Sequence, residues 1–108
     1  MRLGPAALAL LLAGCIGAPK ARVSTLFLPD TNGLAVAGSH LRIDFGRAPE
    51  GVIAALTRAM GAPRPLGTET CPAGMERRVA WDDLVLTFTR ESFVGWRRED
   101  QAAGRTCG

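Results

Sequence analysis

The sequence predicts a single small α+β domain, with one helix packed on a mostly antiparallel sheet in the order β-β-α-β-β-β. Two observations carry this. An amphipathic stripe of Val52, Ile53, Leu56, Ala59 and Met60 stands in mid-chain, with the 3.6-residue spacing of a helix face. Around it lie short runs rich in β-formers, and on the C-terminal side these are only two or three residues apart, a gap that fits hairpins and is too short for crossovers. The 108 residues, 47% of them apolar, suffice for one core and no more. They exclude a dinucleotide-binding domain joined to a substrate domain, and no G-x-G-x-x-G follows a strand-like run.

The domain is expected over residues 23–108. Val23 to Leu28 reads as a strand, and Pro29-Asp30-Thr31-Asn32-Gly33 as a turn cluster. Leu34 to Val36 offers a further short strand. His40 to Phe45 alternates, with Leu41, Ile43 and Phe45 on the buried face and His40, Arg42 and Asp44 on the other. The helix is expected over Ala48 to Met60: Pro49 suits the first helical position, Glu50 meets the positive end of the dipole, and Gly61 and Pro63 stop it. Gly61 to Ala73 holds Pro63, Pro65, Gly67 and Pro72 and reads as an irregular loop. Arg77 to Trp81, Leu84 to Thr89 and Phe93 to Arg97 then form a meander. Strict alternation puts Leu84, Leu86, Phe88, Val79, Trp81, Phe93 and Gly95 toward the core, and Val94 and Trp96 on the far side with the arginines. Asp100 to Gly108 shows no pattern beyond Cys107.

The residues ahead of the domain carry a different signal. Met1 and Arg2 make a short positive start, Ala6 to Ala13 an apolar stretch of Ala and Leu, and Leu12-Ala13-Gly14-Cys15 follows. This resembles the lipobox of bacterial lipoprotein signal peptides. The resemblance implies a leader over residues 1–14, cleavage before Cys15, palmitate-type acyl chains on the Cys15 thiol, and a tether over residues 15–22. At about 0.8 kcal/mol per buried methylene, two or three acyl chains hold a protein on a membrane durably. Ile16 rather than Asp after the anchor favours, by analogy with lipoprotein sorting, the outer membrane facing the periplasm. Loss of Arg2 takes one charge from the formal net of +3, which leaves no dense basic stripe for nucleic acid.

With Cys15 acylated, Cys71 and Cys107 remain as an even pair in an oxidising compartment, and a disulfide is the natural reading. It closes a loop of about 37 residues, worth roughly 4 kcal/mol in the chain-entropy picture. The competing reading is a reactive thiol in the turn-like Cys71-Pro72-Ala73-Gly74, but no C-x-x-C is present and His40 is the one histidine.

The helix end Leu56-Thr57-Arg58-Ala59-Met60-Gly61-Ala62-Pro63, followed by a meander with Trp81 and Trp96, resembles a family of small uncharacterised bacterial lipoproteins. Some of these carry a transferred aspartate-semialdehyde dehydrogenase label, which the residues here do not support. Phe45 to Trp96 is also loosely similar to the outer-membrane assembly lipoproteins of BamE/SmpA type, in which helices ending in a Gly-x-Pro turn precede three strands.

Candidate sites are few. His40 with Asp44 is too common a spacing to mark a metal, and no metal or cofactor is expected. Asp82-Asp83 falls where a hairpin turn belongs. Ser24, Ser39 and Ser92 lack a G-x-S-x-G elbow. The remaining feature is a possible binding patch of Trp96, Arg97, Arg98, Arg77 and Arg78, which would suit an anionic surface or an envelope protein if its members met on one sheet face. The expected function is therefore a lipid-anchored envelope protein with a non-catalytic binding or scaffolding role. A small envelope enzyme of unknown reaction and an inhibitor of an envelope-attacking hydrolase are the alternatives.

Overall fold

The computed structural model describes residues 26–107. The lipobox, Cys15, the tether and the first residues of the expected Val23–Leu28 strand lie outside them. The fold is α+β, with two antiparallel sheets and one helix.

The first sheet has the order β1-β2-β3, with β1 at Phe27–Asp30, β2 at Gly33–Val36 and β3 at Arg42–Asp44. The chain turns at Thr31-Asn32, where the Asp30 side chain accepts a hydrogen bond from the Asn32 backbone N–H at 2.9 Å. Pro29 and Asp30 belong to the strand rather than the turn, since a proline is tolerated on an edge strand. β3 is shorter than its alternation suggests, and Leu41, expected in the core, is 69% exposed. Alternation sets the parity of a strand, but Leu41 lies one residue ahead of β3, at the end of the β2–β3 turn, where alternation no longer directs a side chain inward.

Helix α1 spans Pro49–Met60, with Pro49 in the first turn, Glu50 near the N-terminus and Arg58 near the C-terminus. Gly61, at φ 92°, ends it and donates its N–H to Thr57 O at 2.8 Å. Val52 and Leu56 are buried. They join Phe27 and Leu34 of the first sheet, and Val79, Trp81, Leu84, Leu86, Phe88, Phe93 and Trp96 of the second, in one continuous core.

The second sheet has the order β4-β5-β6-β7-β8, namely Arg64–Leu66, Arg77–Trp81, Leu84–Phe88, Phe93–Arg98 and Gln101–Gly104. The central meander stands as expected, and two edge strands correct the sequence reading. β4 forms inside the proline-rich loop because Pro65 lies on a sheet edge. β8 forms from the patternless tail because the turn at Glu99, whose φ is 57°, folds it back onto β7.

A bulge in β7 decides which side chains face the core. Thr87 is opposite Gly95 but Phe88 is opposite Phe93, so Val94 is the extra residue. The phase flips there, and both Phe93 and Trp96 face inward, at 0% and 5% exposure. Trp96 is thus a core residue, contrary to the strict alternation that placed it outside.

Two backbone bonds join the sheets. Gly46 donates to Phe93 O and Phe93 donates to Arg47 O, both at 2.8 Å. Phe45 then packs edge-on against Phe93, with ring centroids 5.1 Å apart. The two indoles add further ties: Trp81 Nε1 donates to Gly61 O at the helix end, and Trp96 Nε1 to Asp30 O at the end of β1, both at 2.8 Å.

Candidate functional site

The register of the second sheet separates the arginines that the sequence grouped. β5 and β7 run in the same direction on either side of β6. Arg77 and Arg78 therefore sit opposite Phe88 and Thr87 at one end, while Arg97 and Arg98 sit opposite Val85 and Leu84 at the other. Parity divides each pair again: Arg78 and Arg97 share the face of Thr87, and Arg77 and Arg98 share that of Leu84 and Phe88. With Trp96 buried, the five residues do not form one patch.

Each arginine has its own surroundings. Arg78 Nε donates to Gly67 O at 2.9 Å, which ties β5 to the loop after β4. Arg97 Nη2 reaches Thr106 Oγ1 at 3.4 Å. Arg98 Nη1 is buried without a hydrogen-bond partner among the described residues. Arg77 is exposed and, with Arg78, lines a groove of about 450 Å³ beside β4, whose other walls include Pro63, Pro65, Leu66, Glu69 and Glu76. Two cations and two carboxylates give this groove no net sign, while the prolines and Leu66 give it apolar walls. Sequence reading missed it because β4 was hidden among the breakers.

The face of the second sheet turned away from Leu84 and Phe88 is covered by the C-terminal segment. Thr87, only 2% exposed, donates its hydroxyl toward the carbonyls of Arg105 and Gly95. Arg105 N–H donates to Val94 O at 2.7 Å. Gly95 is required under this strap, since a Cβ there would strike the Arg105 backbone. The Cys71–Cys107 disulfide, with Cα atoms 4.3 Å apart, then pins the strap to the loop ahead of β5.

The strongest polar cluster lies on the outer face of the first sheet. Arg42 holds Asp30 through two bonds, Nη1 to Oδ2 at 2.9 Å and Nη2 to Oδ1 at 2.8 Å, and Asp44 through Nε at 2.8 Å. Gly33 and Ala35, which lie between them on β2, are small enough for the guanidinium to reach across. The bonded guanidinium, aided by the Asn32 N–H, holds the Asp30 carboxyl below the usual carboxylate range against a smaller opposing effect of burial. The two carboxylates in turn raise the basicity of Arg42. The three side chains engage one another across the sheet, so the cluster acts as a clamp on it. His40 is exposed in the β2–β3 turn, and Asp82-Asp83 form the two-residue turn between β5 and β6, with Asp82 at φ 53°.

No protein-family model matches this chain, and neither a curated protein nor a solved structure does.

Proposed function

We propose that the protein is a lipid-anchored component of the bacterial cell envelope, held by acyl chains on Cys15, whose domain faces the periplasm from the outer membrane and binds or scaffolds another envelope component without catalysis. The observation that supports this reading is the Cys71–Cys107 disulfide, with Cys107 buried. Structural disulfides persist outside the reducing cytosol, and the lipobox at Leu12-Ala13-Gly14-Cys15 supplies both the route out and the anchor. The groove beside β4, with Arg77 and Arg78 on one wall and Pro63 and Pro65 on another, supplies a surface for an extended protein segment. Its mixed charges suit a polypeptide better than a uniformly anionic surface.

Metabolic labelling with an alkyne-tagged palmitate tests the anchor. The wild-type chain takes up the tag and sediments with membranes, and Cys15→Ser does neither. A soluble wild-type chain without tag contradicts the reading. Photo-crosslinkers placed at Arg77 and at Thr31 in intact cells test the binding role: a discrete adduct forms from Arg77 and not from Thr31, and equal, diffuse labelling from both contradicts it.

A further inference from the structure

We infer that the tip of the β2–β3 hairpin, carrying Leu41, rests in the interfacial layer of the same membrane that holds the acyl chains; this rests on the anchoring reading above. Leu28 and Leu41 are the exposed large apolar side chains of the described residues, at 49% and 69%. Leu41 lies at the end of the first sheet where the chain enters it, whereas Leu28, in the row of Ala35 and Arg42, lies on the face of the Arg42 clamp. Val36 N–H donates to Leu41 O and Ala37 N–H to Leu26 O, both at 3.0 Å, so Leu41 and the point where the chain enters the fold flank the same stretch of β2.

The turn that presents Leu41 is built to hold it outward. Ser39 Oγ donates to Val36 O at 3.2 Å and accepts the Leu41 N–H at 3.0 Å. Charge is arranged to suit lipid. His40 is the one titratable group in this turn, whereas Asp30 and Asp44 sit opposite Gly33 at the other end of the sheet, engaged by Arg42. No carboxylate has to be dehydrated for the tip to enter the headgroup region.

Chain length makes the contact accessible. Leu26 stands eleven positions after Cys15, a reach of about 40 Å at full extension. The tip is therefore confined near the bilayer at a high effective concentration, so Leu41 makes a contact that would be negligible in a free domain. A tip docked in this way fixes the domain's orientation and turns the groove beside β4 into a surface presented at a set height.

The full-length acylated chain, reconstituted in phosphatidylethanolamine and phosphatidylglycerol vesicles containing dibrominated phosphatidylcholine, tests this. Native Trp81 and Trp96 are buried and give a low quenching background. Leu41→Trp shows at least a several-fold greater bromolipid quenching than wild type, while Thr31→Trp, in the turn at the opposite end of the same sheet, stays near background. Equal quenching of the two variants overturns the docking and leaves the anchor standing. Blue-shifted emission from Leu41→Trp without bromolipid quenching overturns it in favour of a protein partner or a second copy. An intact mass lacking acyl groups on Cys15 removes the premise, and the docking with it.

Discussion

The indole N–H of Trp96 donates to the backbone carbonyl of Asp30 at 2.8 Å, a bond spanning 66 residues of sequence. It joins β7 to the end of β1, and the carboxylate of the same Asp30 is held by Arg42 from β3. One residue thus takes the second sheet through its backbone and the third strand through its side chain. Trp96→Phe, which keeps an aromatic ring but removes the donor, is expected to destabilise the domain by about 1–3 kcal/mol. Trp96→Ala costs more, about 3–5 kcal/mol, because it also leaves a cavity. Urea denaturation reads both, and a neutral Trp96→Ala would contradict the burial described here.

Asp30 also contributes to the acid limb of stability. Its carboxyl is held below the ordinary range by the Arg42 guanidinium, so the folded state favours the ionised form. That contribution is complete above the unfolded carboxylate value of about 3.9 and is lost as pH falls through the lower folded value. Wild type and Asp30→Asn should therefore differ at neutral pH and converge in acid, below about pH 4. Urea midpoints measured across this range check it; curves that stay parallel into acid would contradict it.

The strap over the second sheet gives a steric prediction. Gly95→Ala places a methyl group where the Arg105 backbone runs, and overpacking of this kind costs about 1–3 kcal/mol. Thr87→Val, which removes the hydroxyl while keeping the volume, costs about 1–2 kcal/mol by leaving its carbonyl partners unserved. Amide exchange at Arg105 should rise in both variants, because its N–H bond to Val94 O belongs to the same contact.

Legibility in the sequence followed the strength of the local code. The helix was readable to within a residue because Pro49, the Val52–Leu56 stripe and Gly61 each specify start, face and stop. The meander was readable from its alternation. The inward turn of Trp96 was not, because a bulge at Val94 reverses the parity, and Gly95 beside it was the single local hint. β8 was hidden since Gln101-Ala102-Ala103-Gly104 has no pattern of its own and takes its place from pairing with β7. The separation of Arg77-Arg78 from Arg97-Arg98 needed the register. The exposure of Leu41 needed the point where β3 begins, at Arg42, which pairing with β2 sets. The Cys71–Cys107 bridge was legible from cysteine arithmetic alone once Cys15 was set aside.

The most direct measurement is the intact mass of the protein isolated from membranes, taken before and after reduction. The expected species is a chain starting at Cys15, carrying diacylglycerol and fatty-acyl mass, that gains one pair of hydrogens when the Cys71–Cys107 bridge is reduced. A chain still beginning at Met1, with no acyl mass and no change on reduction, would contradict it.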